Sequence, residues 1–182
     1  MNLTEKTVRK NYIYRGKIIN LRCDDAELPD GRPCKREMVE HPGGSSILCV
    51  RDGKILLERQ YRYAYAKVIW EIPAGKIDPG EDPAAAAVRE LKEEAGLIAK
   101  EVRHLYTLYP TPGYTNELLY VYEATETAEG EQVLDDGEFL NLVWMPIEEA
   151  AEKVRTGEIS DAKTVVAILT WLLDHKLNHK AE

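Results

Sequence analysis

One short segment constrains this chain more than any other, because it joins a strong helix signal to an unusual concentration of carboxylates. It spans residues 75–97 and reads GKIDPGEDPAAAAVRELKEEAGL. Asp82 suits a helix N-cap, Pro83 suits the first helical position and Gly96 suits the position just past a helix end. The segment therefore predicts a tight loop followed by a helix from about Pro83 to Ala95.

The periodicity of this helix predicts two different faces. At about 100° per residue, one side carries the apolar residues Ala84, Val88, Leu91 and Ala95. The opposite side carries the carboxylates Glu90, Glu93 and Glu94. Glu90 and Glu94 are like charges four residues apart, which costs about 0.2–0.5 kcal/mol on a helix. A solvated acidic face explains such a run without a function, whereas a divalent cation turns the repulsion into affinity, because Mg²⁺ prefers oxygen ligands and is shared with substrate phosphates.

The whole segment resembles the Nudix box, in which fixed glycines, glutamates, an arginine and aliphatic residues recur at set spacings. Every fixed position is filled, by Gly75, Glu81, Arg89, Glu90, Leu91, Glu93, Glu94, Gly96 and Leu97. The resemblance implies a hydrolase that cleaves a nucleoside diphosphate linked to another group with the help of Mg²⁺ or Mn²⁺. It also implies the Nudix α/β/α sandwich with a mixed sheet.

The resemblance assigns roles to the box residues. It implies that Glu90, Glu94 and the backbone carbonyl of Ala74 bind the metal, with Glu93 a further ligand or catalytic candidate. Three other residues are expected to brace the loop and helix rather than touch substrate, and these are Gly75, Glu81 and Arg89.

A proline outside the box narrows the range of expected substrates. Pro112 lies fifteen residues after Leu97, an offset that is typical of the ADP-ribose pyrophosphatase branch. The residues around it resemble that branch's substrate loop, and the candidates are Thr111, Pro112, Gly113 and Glu117. An ordinary strand connection explains a Pro-Gly pair equally well.

Further candidates follow from the same resemblance. The loop from Asp135 to Phe139 resembles the acidic loop that supplies a base or another metal ligand, so Glu138 and Asp136 are both candidates, and the sequence does not separate their roles. Four residues match substrate-binding positions, and these are Arg36, Glu37, Arg62 and Lys76. Arg62 fits an arginine that contacts the diphosphate, which suits the bidentate geometry of a guanidinium.

The remaining sequence indicates an α+β protein. Short strand signals occur between Lys6 and Tyr61, with turns at Pro29-Asp30-Gly31 and Arg51-Asp52-Gly53. Further strands are expected at Val68–Ile72, Val102–Tyr109, Glu117–Ala124 and Leu140–Trp144. Helices are expected from Pro146 to Gly157 and from about Asp161 to His175. We divide the chain into an N-terminal strand extension, residues 1–42, and a Nudix hydrolase domain with three helices, residues 43–182. The extension is expected to add antiparallel strands and to exchange them in a homodimer; folding back onto its own subunit is the alternative.

The net charge and the hydrophobic pattern argue against other classes of protein. The net charge of −8 argues against non-specific nucleic-acid binding, and no apolar run approaches the length of a membrane span. Three cysteines without metal-ligand spacing are expected to be thiols in a cytoplasmic protein.

These observations lead to one main functional prediction and two alternatives. The resemblance implies Mg²⁺-dependent hydrolysis of ADP-ribose to AMP and ribose 5-phosphate. A related hydrolase acting on another nucleoside diphosphate sugar, such as GDP-mannose, is the first alternative. The second is a module that binds ADP-ribose without cleaving it.

Overall fold

The computed structural model describes residues 2–178 of the 182-residue chain, with side chains described through His175. The outermost ends of the two predicted domains, residue 1 and residues 179–182, lie outside this range. The chain forms two compact units. The first contains the residues up to Gly43 together with Tyr109–Leu118, and the second contains Gly44–Leu108 and the residues from Leu119 onward.

The first unit is a four-stranded antiparallel sheet. Its strands are β1 (Lys6–Arg9), β2 (Tyr12–Arg15), β3 (Asn20–Glu27) and β4 (Pro33–Glu40). Strand β3 is central, because it pairs with β4 on one side and with β1 and β2 end to end on the other. The segment Tyr109–Leu118 adds to β4, where the amide of Val39 donates to the Tyr114 carbonyl at 2.7 Å.

The second unit contains seven strands, one short 3₁₀ turn and three α-helices. The strands are β5 (Gly44–Arg51), β6 (Lys54–Arg62), β7 (Lys67–Glu71), β8 (Ala74–Lys76), β9 (Leu97–Leu108), β10 (Leu119–Glu129) and β11 (Leu140–Pro146). The helices are α1 (Pro83–Ala95), α2 (Ile147–Arg155) and α3 (Ala162–Asn178), and the 3₁₀ turn is Tyr63–Tyr65. None of the helices within residues 2–178 is both long and apolar enough to cross a membrane.

The sheet of the second unit is mixed. Its main order is β11-β6-β5-β10-β9, with β7 added to β6 and β8 added to β5. Strands β5 and β10 run parallel, and the other pairs are antiparallel.

Side chains alternate between two apolar clusters on the two faces of this sheet, as the period of a strand requires. On β6, Ile55 and Leu57 belong to one cluster with α2 and α3, and Leu56 belongs to the other with α1. The helices therefore cover both faces, and the predicted α/β/α sandwich within an α+β protein is confirmed.

The predicted boundaries were wrong mainly at β9 and β10. Strand β9 begins at Leu97, immediately after α1, rather than at Val102, and β10 continues to Glu129 rather than ending at Ala124. The two strands form a long antiparallel ladder that includes several register shifts. Cross-strand pairing stabilises residues such as Lys100 and Glu126, whose intrinsic strand preference is weak.

Candidate functional site

Helix α1 begins and ends where its capping residues predict. The Asp82 carboxylate accepts hydrogen bonds from the amides of Ala84 and Ala85 at 2.9 and 3.2 Å. Gly96 adopts a left-handed conformation with φ of 64°, and its amide returns to the carbonyls of Leu91 and Lys92. The helix is thereby fixed at both ends beside β8 and the box loop.

Arg89 organises the carboxylates at the surface of α1. Its guanidinium donates to Glu81 at 2.8 and 3.0 Å, to Glu90 at 2.8 Å and to Glu93 at 2.8 Å. It also donates to the Lys76 carbonyl at 3.1 Å, which ties the helix to the end of β8. The hydrogen bond to Glu81, with support from the other two carboxylates, raises the pKa of Arg89 despite partial burial. Arg89 therefore stays charged and holds these side chains in place.

Glu94 does not lie on an exposed face, so this part of the helix prediction was wrong. Its side chain is only 1% exposed and accepts a hydrogen bond from the Ala74 amide at 2.9 Å. Positions 87, 91 and 94 follow the i, i+4, i+7 pattern of one helix face, which puts Glu94 beside buried Ala87 and Leu91. Burial, followed by repulsion from nearby carboxylates, raises the pKa of Glu94 to about 10.

Gly75 allows Glu90 to lie directly against the backbone of β8. A Cβ atom at position 75 would come within 2.0 Å of the Glu90 carboxyl group. Any larger residue would therefore displace that carboxylate. Burial raises the pKa of Glu90 to about 6, although Arg89 opposes the shift.

Glu138 approaches the same group of carboxylates from the loop before β11. Its carboxylate accepts from the Gln60 side-chain amide at 3.3 Å and from the Asp135 amide at 3.4 Å. Its charge contributes to the raised pKa of both Glu90 and Glu94, so the three carboxyl groups interact electrostatically. Asp136 lies in the exposed turn of the same loop.

Strand β6 contributes a carboxylate that the sequence analysis missed. Glu58 is fully buried, and neither of its carboxylate oxygens has a hydrogen-bond partner among the described residues. Burial, followed by repulsion from Glu71, raises the pKa of Glu58 to about 8. The available signal was a single glutamate within the otherwise apolar start of β6, at a position that shares a strand face with Gln60 and Arg62.

Arg62 lies at the end of a buried ion-pair network, which the sequence analysis also missed. Its Nε donates to Glu71 at 2.6 Å, and Lys163 donates to the other oxygen of Glu71 at 2.5 Å. Lys163 also donates to Asp161 at 3.0 Å. Burial alone would raise the pKa of Glu71, but Lys163 and Arg62 lower it below its ordinary value. Arg62 is thus held from one side while its side chain remains partly exposed.

The other predicted substrate-binding residues are mostly exposed. Lys76 is exposed at the end of β8 in the second unit. In the first unit, Arg36 pairs with Glu5 at 2.6 and 2.8 Å, and Glu37 is exposed beside it on β4. The predicted substrate loop lies in the first unit too, with Thr111 and Glu117 half-buried and Pro112 and Gly113 exposed.

The oxygen atoms of the second unit that lie near the box helix suit a hard divalent cation. The neighbouring groups are carboxylates and amide oxygens, which are the ligands that Mg²⁺ and Mn²⁺ prefer. Within residues 2–175, no three histidine, cysteine, aspartate or glutamate side chains already form a closed ligand set. Arg89 engages Glu90 and the Ala74 amide engages Glu94, so metal binding requires small side-chain adjustments.

Comparisons with known proteins agree with this geometry. Residues 40–167 match the NUDIX domain, and residues 5–39 match the nucleoside diphosphate sugar hydrolase N-terminal domain. The chain is 42% identical to the ADP-ribose pyrophosphatase of Bacillus subtilis over 170 residues, covering 92% of each chain. It is 37% identical to the methanol dehydrogenase activator of Bacillus methanolicus over 179 residues, covering 97% of each.

A solved structure shares the fold. The crystal structure of an ADP compounds hydrolase superposes with a TM-score of 0.82 at 23% identity, covering 99% of this chain and 98% of the other. The box residues, the matched domains and these relatives lead to one conclusion: the chain belongs to the NUDIX family.

Proposed function

We propose that this protein is an ADP-ribose pyrophosphatase, which hydrolyses ADP-ribose to AMP and ribose 5-phosphate with the help of Mg²⁺. The observation that carries the proposal is that Arg89 braces the box loop while Glu90 and Glu94 lie against β8, where the charge of Glu138 also acts on them. The 42% identity to the Bacillus subtilis pyrophosphatase supports the choice of substrate.

Three groups would hold the cation in this proposal, the carboxylates of Glu90 and Glu94 and the backbone carbonyl of Ala74, and Glu138 is a fourth ligand where it does not serve as the base. When bound, Mg²⁺, or Mn²⁺ in its place, polarises a phosphoryl oxygen and lowers the pKa of a bound water. Burial and, to a smaller extent, repulsion from nearby carboxylates raise the pKa of Glu90 and Glu94, and a shared cation would offset both costs.

The side chains around this centre would orient the substrate and accept a proton. Glu138 accepts the proton of the attacking water, with exposed Asp136 as the other candidate, and Arg89 holds Glu93 at the rim of the site. Arg62 binds the diphosphate through the guanidinium nitrogens that do not contact Glu71. Lys76 offers an additional positive charge.

We further propose that six residues of the first unit bind substrate. The residues assigned to this role are Arg36, Glu37, Thr111, Pro112, Gly113 and Glu117. The pairing of residue 39 with residues 114 and 116 gives the substrate loop a defined conformation within that unit. The backbone amide of Glu117 donates to the Thr115 hydroxyl at 3.1 Å, which helps to fix this residue.

The N-terminal extension, residues 1–42, is proposed to form a homodimer by exchanging strands, with residues 43–182 as the hydrolase domain. Strands β1 and β2 are exposed throughout, and Val8, Ile13 and Tyr14 are each more than half exposed. Exposed apolar groups of this kind mark association surfaces. Sedimentation analysis tests this proposal: wild type is expected to be a dimer and Ile13→Lys to shift toward monomer, whereas a monomeric wild type would contradict it.

The three cysteines are free thiols, which supports a reducing, cytoplasmic location. Fractionation of the native host cell, with a cytoplasmic and an exported marker protein, checks this placement.

A substrate panel tests the proposed activity directly. Purified protein is incubated with ADP-ribose, GDP-mannose and other nucleoside diphosphate sugars, with Mg²⁺ or with EDTA, and the products are identified by chromatography. We expect AMP and ribose 5-phosphate from ADP-ribose only when Mg²⁺ is present. Faster turnover of GDP-mannose would move the protein to the other substrate class, and binding of ADP-ribose without turnover would make it a sensing module.

A further inference from the structure

The side of β6 that faces α1 changes from apolar to polar side chains along its length. Leu56 packs with Leu91 in the apolar cluster under α1. Two residues further along, Glu58 occupies the same face, and Gln60 follows and contacts Glu138. Alternate residues of a strand share one face. Leu56, Glu58 and Gln60 therefore lie on the same face of β6, beginning at the apolar cluster under α1 and continuing toward the acidic residues.

Three buried oxygen atoms on this face lack hydrogen-bond partners within the described residues. They are the two carboxylate oxygens of Glu58 and the side-chain oxygen of Gln60. Leaving a buried acceptor unsatisfied costs about 1–3 kcal/mol, and more for a charged group. An ionised Glu58 and the Gln60 side-chain oxygen present only acceptors, and such a set of atoms suits a cation or a donor bound to one.

The charged groups around Glu58 also leave it without a positive partner. Its titratable neighbours are Glu71 and Glu94, which are acidic, and Lys163 and Arg62, which are basic. Both basic groups bond to Glu71 instead. Glu58 therefore faces the Glu94 carboxyl, with which it can share a proton, and neither of the two has a basic partner of its own within the described residues.

We propose that Glu58 is a further carboxylate of the metal-binding pocket. It would hold the divalent cation, directly or through a water molecule, from β6, while the box carboxylates hold it from α1. This inference rests on the proposed metal-dependent function. The proposed metal site then includes residues of β6 as well as the box residues: Glu58 faces Glu94, and Gln60 orients Glu138. A purely structural glutamate at this position would keep a donor from the protein, whereas a metal-site glutamate releases the proton that it shares with Glu94 to solvent when the cation binds.

Two measurements on Glu58→Gln test the proposal, using Mn²⁺ alone as the probe. The first is equilibrium Mn²⁺ binding, followed by the electron paramagnetic resonance signal of the free ion. The second is the melting temperature in EDTA. We expect the affinity for Mn²⁺ to fall by about 10- to 100-fold, while the metal-free melting temperature stays the same or rises, because Gln keeps the size of the side chain and needs no proton to be neutral when buried.

Two further variants separate failure of this inference from failure of the proposed function. Glu94→Gln is the reference for a primary ligand, and Glu148→Gln makes the same change at an exposed position on α2 and is expected to behave as wild type. If wild type binds no Mn²⁺, the proposed metal site and this inference are both wrong. If Glu94→Gln loses Mn²⁺ while Glu58→Gln binds it as wild type does, only the inference is overturned, and Glu58 is then a neutral buried acid.

A structural role for Glu58 predicts a different pattern. Glu58→Gln would then melt at a lower temperature in EDTA and retain its affinity for Mn²⁺, which would overturn the proposal. Should Glu58→Gln fail to fold, Glu58→Asp replaces it, since that change keeps the charge and withdraws the carboxylate by one methylene. Weaker Mn²⁺ binding by Glu58→Asp supports the proposal, and unchanged binding contradicts it.

Discussion

Two places in the second unit bury several charged side chains, and they differ in how those charges are satisfied. Where β7 meets α3, Glu71 lies between Lys163 and Arg62, and Lys163 also contacts Asp161. Where β6 meets α1, Glu58 and Glu94 are equally buried, yet both carboxylate oxygens of Glu58 lack partners among the described residues. A buried acid with a basic partner therefore joins structural elements here, whereas we propose that buried acids without such a partner prepare a binding site.

The paired region also links α3 to the strand that leads into the site. Asp161 accepts from the amide and hydroxyl of Thr164 at the start of α3, at 3.1 and 2.6 Å. The Thr164 hydroxyl in turn accepts from the Ile72 amide at 2.9 Å. Ile72 precedes Pro73 and Ala74, so this network supports the segment that the proposed metal site uses.

The largest effect is expected from breaking the paired region. Lys163→Met leaves Glu71 with only Arg62 as a partner, and breaking a buried ion pair costs about 3–5 kcal/mol. Urea unfolding in EDTA should show a loss of that size. Lys100→Met removes an exposed pair with Glu126 and is expected to cost about 0–1 kcal/mol. Equal stability of the two variants would contradict the structural role of the paired region.

The matching change in the unpaired region should affect catalysis instead of stability. Glu94→Gln keeps the size of the side chain and removes the charge of a proposed metal ligand. The kcat for ADP-ribose should fall by about 10²- to 10³-fold, the scale for losing one stabilising group in a transition state. Unfolding in EDTA should show no loss of stability. Normal turnover would remove Glu94 from the metal site.

A pair of variants in the loop before β11 separates the two candidate bases. Glu138→Gln should lower kcat by about 10²-fold, as expected for loss of a general base, with a smaller effect on KM. Asp136→Asn should retain near wild-type kcat, because Asp136 is exposed while Glu138 lies among the carboxylates. Steady-state kinetics with ADP-ribose provides both values, and the reverse pattern would assign the base to Asp136.

The smallest expected effect is a pH dependence of the paired region. The pKa of Glu71 is lowered in the folded protein, so the unfolded chain binds more protons as the pH falls below the ordinary glutamate value. The stabilisation from Glu71 is therefore present above about pH 4.5 and is lost as the pH falls through its folded pKa. Urea unfolding at a series of acidic pH values should show this loss in wild type. If Lys163→Met retained the same slope, the slope would come from other carboxylates.

The sequence predicted the local features of the site well because they depend on neighbouring residues. Asp82 and Gly96 act within a few residues of the ends of α1, and their preferences place the helix correctly. Arg89 and Glu93 meet because they are four residues apart on one helix.

The features that the sequence did not predict depend on packing between distant segments. Periodicity allowed Glu94 to be assigned to the exposed face because carboxylates are rarely buried, whereas the fold places it under the Ala74 amide. Glu58 and Lys163 were missed for a similar reason. Lys163 reaches Glu71 across 92 residues of sequence, and no local pattern specifies such a pair.

The account depends most on the claim that carboxylates from α1 and the neighbouring strands hold a divalent cation. Anomalous diffraction from a crystal soaked with Mn²⁺ and a non-hydrolysable ADP-ribose analogue tests it most directly. The account predicts a strong anomalous peak between Glu90, Glu94 and the bound diphosphate, close to the Ala74 carbonyl. A crystal with the analogue bound but no peak at these carboxylates, or with the peak elsewhere on the molecule, would contradict it.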